Sequence, residues 1–210
     1  NHIPESLLFH NHDGCEIYLF LNCDVKYYTE SNGKKLERGD LILTRAYAFH
    51  GSVLVSPALH DRIVINIRES VLSGLGSPET DLSECFLRTP SCELNLLHLE
   101  EDDIRRFTEL ARQLQAELLK HPWGSDVMSR ALLQQLLVMI GRLTVTARPQ
   151  EYPGIMPDFL AETFSYIEDH LCEEITLKQL AEHVHHNGTY LSRCFKKLSG
   201  ASLTLSLIHI

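Results

Sequence analysis

The sequence predicts an α+β protein in which an antiparallel β-barrel is followed by helices. Short apolar segments separated by turns occupy residues 5–68, a pattern typical of an antiparallel barrel or sandwich. Apolar residues then recur at helical spacing between residues 100 and 145, and again in three shorter segments after residue 158. The 210 residues are enough for one large or two small domains.

Five strand segments are predicted in the N-terminal part, and turn residues separate them. The segments are residues 16–21, 25–29, 41–43, 53–55 and 62–67. Asn32-Gly33 is the strongest short hairpin signal in this part of the chain. Glu37-Arg38-Gly39-Asp40 predicts the turn that precedes the third segment.

Two long amphipathic helices are predicted next. The first has an acidic start at residues 100–103 and ends at Pro122. Its apolar stripe consists of Ile104, Phe107, Ala111, Leu114 and Leu118. The second helix runs from near Ser125 to about Val145. Two such helices can cap the barrel, pair with a partner chain, or do both.

The C-terminal part predicts a linker and three short helices. Residues 148–154 contain two prolines and a glycine in a polar setting, which is typical of a linker. Asp158 can cap the first helix, and Thr176-Leu177-Lys178-Gln179 is a capping box that opens the second. Asn187 can cap the third helix, which Gly200 terminates. Two helices joined by a short turn give the helix-turn-helix outline.

Composition and charge limit the function classes. The chain has 19 Lys and Arg against 28 Asp and Glu, a net charge of −9, which argues against a protein that coats nucleic acid by bulk charge. A small basic surface remains, because the ionised side chains between residues 187 and 204 are Arg193, Lys196 and Lys197. We expect no membrane helix and no signal peptide. The six cysteines have neither zinc-site nor disulfide spacing, so free thiols in a reducing cytosol are expected.

The predicted outer side of the third short helix fits the major groove of DNA. Its expected buried side is Leu191, Cys194, Phe195 and Leu198. Its expected outer side is Thr189, Ser192, Arg193 and Lys196. Arginine can bond guanine O6 and N7 together, and hydroxyls can contact several bases. Lys196 and Lys197 are placed to meet phosphates, although a solvated face with cations at a helix C-terminus is the alternative.

Residues 175–181 and 189–200 resemble the first helix-turn-helix of the AraC-type family of bacterial transcription regulators. The second segment carries the specific run Tyr-Leu-Ser-Arg-x-Phe-Lys-Lys-x-x-Gly. In that family this helix reads the major groove, so the resemblance implies double-stranded DNA as a partner. The DNA-binding residues it implies are Asn187, Thr189, Ser192, Arg193, Lys196 and Lys197. It also implies a cytoplasmic homodimer, with residues 104–118 as a dimer seam, that acts with RNA polymerase.

The N-terminal part resembles the cupin-like effector domain of the same family. His10-Asn11-His12-Asp13-Gly14-Cys15-Glu16 matches the first cupin motif, and Gly39-Asp40 followed by His50 resembles the second. In metal-binding cupins the matching histidines and glutamate would hold a divalent metal. Regulators of this family often keep these residues without a metal, so no metal, no other cofactor and no enzymatic activity are expected.

The expected barrel site is therefore a pocket for a small-molecule effector, with a sugar as one option. Its expected lining residues are His10, His12, Glu16, Tyr18, His50 and Arg62. A metal-dependent cupin enzyme and a sugar-binding cupin module are the alternatives. A metal assay would separate an enzyme of this kind from a regulator.

The resemblance divides the chain into five parts. They are a barrel (1–68), connecting and dimerisation helices (69–147), a linker (148–157), the first helix-turn-helix subdomain (158–204) and a non-native tail (205–210). Family members carry a second helix-turn-helix, so we expect a C-terminally truncated chain. This fragment is expected to bind DNA poorly alone, because a single module buries only about 600–1,000 Å².

Overall fold

The computed structural model describes residues 10–29, 32–54, 60–89, 94–146, 158–170, 175–199 and 203. Over these residues the fold is α+β, with antiparallel sheets first and helices after them, as predicted. The predicted linker at 148–157 and the predicted tail at 205–210 lie outside the described residues, as does the side chain of Lys197.

Seven strands form two antiparallel sheets in the described part of the chain. They are β1 (Gly14–Asn22), β2 (Val25–Thr29), β3 (Gly33–Lys35), β4 (Asp40–Thr44), β5 (His50–Leu54), β6 (Asp61–Arg68) and β7 (Leu96–His98). The larger sheet has the order β6-β1-β4-β7, and the smaller has the order β3-β2-β5. All five predicted segments correspond to strands, whereas β3 and β7 had no predicted counterpart.

The larger sheet extends past residue 68, the predicted end of the barrel. Its edge strand β7 pairs antiparallel with β4, and Asp40 lies opposite His98. Three residues are too few to display the alternation by which a strand is recognised in sequence. The polypeptide therefore leaves the sheet at residue 68 and returns to it nearly thirty residues later.

The hairpin between β2 and β3 is present, but Asn32-Gly33 is not its two-residue turn. Gly33 already pairs with Tyr28 in the ladder, and Thr29 N–H donates to the Asn32 carbonyl at 2.8 Å. A Cβ atom at Gly33 would lie 2.6 Å from the Tyr28 ring. A side chain at this position would therefore have to displace the Tyr28 ring. Gly39, in the other predicted turn, does adopt a positive φ of 93°.

Six helices follow or connect the strands in the described residues. They are α1 (Glu69–Leu72), α2 (Glu101–Lys120), α3 (Ser125–Thr146), α4 (Asp158–Asp169), α5 (Leu177–His183) and α6 (Gly188–Ser199). Both long helices are confirmed within a residue or two. The predicted capping box at Thr176 and Gln179 is present. The structure describes α6 up to Ser199, and the predicted terminator Gly200 lies outside the described residues.

Strand β1, inside the larger sheet, is buried on both faces along most of its length, whereas the edge strand β6 is largely exposed. On one face, Ile17 and Leu19 belong to the same apolar cluster as Phe107 of α2 and Leu136 of α3. On the other face, Tyr18 of β1 packs with residues of the smaller sheet. Glu16, two residues before Tyr18, lies on this inner side because side chains alternate along a strand.

The apolar stripe of α2 packs inside the chain. Ile104, Phe107, Ala111 and Leu114 are buried in the cluster shared with the sheet and α3, while Leu118 is half-exposed. These buried residues are not accessible to a second copy. A dimer seam over residues 104–118 is therefore incompatible with this packing, and a dimer would need another surface.

The three C-terminal helices have their own apolar cluster, which also contains one residue of the barrel. Leu180 of α5 and Leu191 and Phe195 of α6 are almost completely buried in it. Phe49, the residue before β5, is buried in the same cluster, and Tyr28 of β2 packs against it. The helix-turn-helix bundle is thus in apolar contact with the edge of the smaller sheet.

The described cysteines Cys15, Cys23, Cys85 and Cys194 are free thiols. Among the described residues, no helix combines the length and apolar character needed to cross a membrane.

Candidate functional site

Four of the predicted barrel residues converge on one point. The ligand atoms of His10, His12, Glu16 and His50 all lie within 4.8 Å of one another. The backbones of His10 and His50 exchange two hydrogen bonds of 2.9 Å, which brings the start of β5 beside the segment that leads into β1. We call these four residues the histidine cluster. Its outermost member, His10, is exposed, whereas Glu16 and His50 are buried.

Glu16 is the only carboxylate of the histidine cluster and lies between two of its imidazoles. Its Oε2 is 3.4 Å from His12 Nε2, and its Oε1 is 3.6 Å from His50 Nε2. Burial acts to raise the pKa of Glu16, but the neighbouring imidazoles of His12 and His50 outweigh it and lower the pKa to about 2. The hydrogen bond to Glu16 correspondingly raises the pKa of His12 against the effect of burial.

His50 has a fixed ring orientation. Its Nδ1 lies 2.8 Å from the Ala48 carbonyl oxygen, and because a carbonyl only accepts, Nδ1–H must donate. Its Nε2 therefore points toward Glu16, and this buried nitrogen has no hydrogen-bond partner. The sequence placed His50 in the site but gave no information on which nitrogen faces inward.

The predicted residues Tyr18 and Arg62 are joined by a histidine that the sequence analysis missed. Tyr18 Oη lies 2.7 Å from His60 Nε2, and Arg62 Nη1 donates to His60 Nδ1. Because Arg62 can only donate, His60 Nδ1 accepts and its Nε2–H donates to Tyr18. Burial and the charge of Arg62 lower the pKa of His60. Burial raises the pKa of Tyr18.

Tyr27 connects this group to the histidine cluster. Its ring lies 5.2 Å from that of Tyr18 and is stacked near His50, with centroids 6.2 Å apart. Its hydroxyl pairs with Thr44 Oγ1 at 3.2 Å, and burial together with the Glu16 charge raises its pKa. The sequence of β2 could have indicated Tyr27, because residues two apart share a face and Val25 and Thr29 are buried on the same side of the strand as Tyr27.

The second candidate site is the outer side of α6. Thr189, Arg193 and Lys196 are exposed, and Ser192 is half-buried. Beneath them Leu191 and Phe195 are at most 1 % exposed. The predicted separation of a polar outer side from an apolar underside is confirmed for these residues. Their contact with DNA stays a prediction.

Two neighbours hold the α6 surface in place. Asn187 accepts the Thr189 N–H at 2.8 Å through its Oδ1, so it caps the helix as predicted. Tyr190, which the sequence analysis did not single out, is 41 % exposed and its ring lies 5.7 Å from the Arg193 guanidinium carbon.

The two candidate sites are linked through adjacent residues. His50 belongs to the histidine cluster, and Phe49 before it is buried against the helix-turn-helix bundle. The turn just before them is held at Tyr47, whose N–H donates to the His12 carbonyl at 2.8 Å. A displacement of His12 or His50 would therefore reach Phe49 through only a few covalent bonds.

Comparison with known proteins gives matches among solved structures alone. No family model matches the chain, and no curated protein matches it. Apo ToxT from Vibrio cholerae matches 97% of this chain and 93% of its own, with 12% identity and a TM-score of 0.46. Fatty-acid-bound ToxT matches 97% of this chain and 72% of its own, with 12% identity and a TM-score of 0.45. The AraC-like transcriptional activator CuxR matches 94% of this chain and 66% of its own, with 13% identity and a TM-score of 0.38.

At these identities and TM-scores the likeness by itself assigns no function. ToxT and CuxR are AraC-like transcription regulators, and they match nearly the whole length of this chain.

Proposed function

We propose that the chain is a ligand-responsive, sequence-specific DNA-binding transcription regulator of the AraC type. The observation that carries this proposal is the outer side of α6, where Thr189 and Arg193 are exposed above the buried Leu191 and Phe195. The resemblance of residues 175–200 to a DNA-reading helix-turn-helix gives those side chains a role. A regulator of this kind acts in the cytoplasm and has no catalytic activity of its own.

The residues of α6 divide between base and backbone contacts. Arg193 would bond the O6 and N7 of a guanine, with Thr189 and Ser192 contacting neighbouring bases. Lys196 and Lys197, near the helix C-terminus, would contact phosphates, as would the amide of Asn187. The chain as a whole carries a net charge of −9, so its acidic surfaces repel DNA and favour approach through this cationic patch.

The barrel would bind the effector, a small polar molecule, in contact with the histidine cluster and the Tyr18–His60–Arg62 group. Because Phe49 adjoins His50, a ligand that moves His50 also alters the contact between the smaller sheet and the bundle. Effector binding and DNA binding are then coupled by the difference in free energy between the two arrangements.

We further propose a homodimer that acts with RNA polymerase. Two reading helices related by a twofold axis would bind two half-sites about one helical turn apart. Since the apolar stripe of α2 is used inside the chain, the dimer must form through other surfaces.

A metal-dependent cupin enzyme is the second candidate function, and the convergence of the histidine cluster favours it. A cupin enzyme, however, would leave the exposed Arg193 and the capped α6 without a role. The regulator accounts for both parts of the chain and is the function we propose.

The test is selection of duplexes from a random-sequence pool by this chain, followed by fluorescence anisotropy on the enriched sequence. Low ionic strength compensates for the few phosphate contacts of one module. Wild-type chain should enrich a defined sequence. Arg193→Ala should lose about 1–3 kcal/mol of discrimination at one base pair, whereas the control Lys196→Ala should weaken binding to all sequences alike. No enrichment by the wild type, or unchanged discrimination in Arg193→Ala, would contradict the proposal.

A further inference from the structure

We propose that a cavity on the outer face of β1 binds a free amino acid with an apolar side chain. The cavity has a volume of about 670 Å³. We call it the outer cavity, and its walls include Cys15, Arg45, Tyr47, Glu69, Leu72 and Phe86. This is a ligand site separate from the barrel, and it does not rest on DNA binding.

Alternation along β1 separates the outer cavity from the histidine cluster. Glu16 lies on the inner side of the strand, and the adjacent Cys15 points to the other side, in the apolar cluster shared with α2 and α3. Leu72 and Phe86 belong to that same cluster and line the cavity. A ligand in the outer cavity would therefore lie across the larger sheet from a ligand in the barrel.

The outer wall of the cavity is held in place by α3. Residues 73–87 contribute this wall. Arg130 Nη2 donates to the Gly74 carbonyl at 2.7 Å, and Gln134 Nε2 donates to the Leu75 carbonyl at 2.7 Å. Ligand sites are usually preformed concavities of about 300–1,000 Å³. The outer cavity has both the anchoring and the size of such a site.

Arg45 supplies a position for the carboxylate of a ligand. Its side chain is half-buried, and its Nη2 donates to the Thr89 carbonyl. Among the described residues no carboxylate forms an ion pair with Arg45. A guanidinium has five N–H donors, so most of them stay available, and a partly buried charge is commonly paired. A carboxylate can accept two of these donors side by side.

Two acidic side chains supply a position for an ammonium group. Glu69 and Asp81 both line the outer cavity and are exposed. Asp81 Oδ1 accepts the N–H and the hydroxyl of Ser83, at 2.8 and 2.7 Å, which leaves its other oxygen for a ligand. Glu69 has no ion pair within the described part of the chain.

Cys15 shows that the two kinds of charge act on the same place. Burial is the main cause that raises the pKa of its thiol, the Glu69 carboxylate raises this pKa further, and the Arg45 guanidinium lowers it. The thiol is therefore within range of both charges. No ion pair joins Arg45 to Glu69, so the space between them is left for a ligand.

The charges and the apolar walls together select the class of ligand. A simple anion would meet Arg45 but would be repelled by Glu69 and Asp81, and a simple cation would be repelled by Arg45. A zwitterion satisfies both walls. Leu72 and Phe86 are buried apolar residues, so the rest of the ligand should be apolar as well. A free amino acid with an apolar side chain has all three properties.

The position of Tyr47 connects the outer cavity with the rest of the protein. Its backbone has a positive φ of 65°, which is rare for a bulky residue, and its N–H donates to the His12 carbonyl at 2.8 Å. Phe49, two residues later, is buried against the helix-turn-helix bundle. A ligand that packs against Tyr47 would therefore touch the turn that joins the histidine cluster to the bundle.

The experiment is isothermal titration calorimetry of the full chain with L-leucine and with L-phenylalanine. We expect at least one of them to bind with one equivalent. The analogues without a carboxylate are isoamylamine and phenethylamine, and those without an ammonium group are 4-methylpentanoate and 3-phenylpropanoate. Each should bind at least about tenfold more weakly than its parent amino acid, because one charged wall is then left unmatched.

Variants locate the bound amino acid. Arg45→Lys should weaken binding at least about tenfold, because lysine cannot offer two parallel donors to a carboxylate. Glu69→Gln should weaken it by about two- to fivefold, since an exposed ion pair contributes less. Arg88→Lys and Glu79→Gln are the matched controls, because both residues are exposed in the neighbouring segment and do not line the outer cavity. Their binding should equal that of the wild type.

The outcomes separate this proposal from the regulator. Binding of neither amino acid, or equally tight binding of the amines or the acids, overturns the amino-acid site. Unchanged binding in Arg45→Lys overturns its location and would place the ligand elsewhere, for example in the barrel. Because the comparison of amino acids with their analogues uses the wild type, a variant that fails to fold does not remove the test. If an amino acid binds as expected and DNA selection gives no sequence preference, the outer cavity stands and the regulator does not.

Discussion

The histidine cluster and the α6 surface achieve their arrangements in opposite ways. In the cluster the functional groups are themselves inside the protein, since Glu16 is buried and His50 is only 1 % exposed. On α6 the functional groups face solvent, and the helix is fixed by Phe195 beneath it and Asn187 at its start. The interior site therefore depends on contacts among its own residues, whereas the exterior site depends on residues that touch no ligand.

The two sites also differ in how much of the chain they require. The histidine cluster forms only when the antiparallel pairing of His10 with His50 brings residues 10–16 beside the start of β5. The α6 surface needs one helix of 12 residues. Substitutions should consequently disturb the α6 surface when they remove its local packing or its helix cap. They should disturb the histidine cluster when they disrupt the smaller sheet, which carries His50.

The largest effect should come from removing the support of α6. Phe195→Ala empties a fully buried position in the helix-turn-helix cluster and should lower the free energy of unfolding by about 3–5 kcal/mol. Urea denaturation followed by far-ultraviolet circular dichroism measures this, since the single Trp123 is fully exposed and reports little.

Tyr190→Ala is the matched control for that variant, because it removes an exposed aromatic from the same helix. Its unfolding free energy should change by less than about 1 kcal/mol. Equal losses in the two variants would show that the underside of α6 does not support the reading surface as described.

A slightly smaller effect should follow from separating the two regions. Phe49→Ala removes the barrel residue buried in the bundle and should cost about 3 kcal/mol, the lower end of the range for a buried phenylalanine. Each region keeps its own main cluster, so unfolding should split into two transitions in urea. Phe49→Leu should restore most of the contact, and a single transition of wild-type stability in Phe49→Ala would contradict the link.

The smallest effect concerns the start of α6. Asn187→Ala removes the cap on Thr189 N–H and should lower the free energy of unfolding by about 1 kcal/mol. Asn187→Asp keeps a capping oxygen and should restore stability, while its negative charge should weaken binding to a DNA phosphate. The measurements are urea midpoints and anisotropy on the same variants. If Asn187→Asp bound DNA as tightly as the wild type, Asn187 would be a cap alone.

Strand and helix positions could be predicted because they follow local rules. The apolar run of β1, the capping box at Thr176 and the periodicity of α6 are properties of short segments. Predictions that depend on contacts between distant segments of the chain were less complete. Gly33 proved to pair with Tyr28 in the strand ladder, where it is not a turn residue, and the α2 stripe proved to pack within the chain.

The sequence by itself determined which residues could carry the chemistry: the histidines and Glu16 of the barrel, and the hydroxyls and cations of α6. The tertiary structure alone decided which atoms meet. The pairing of His10 with His50 turns an imidazole toward Glu16, and folding back of the helices buries Phe49 beside Phe195. The physical reason is that residue type and local periodicity are written along the chain, whereas strand register and side-chain orientation depend on contacts between residues far apart in it.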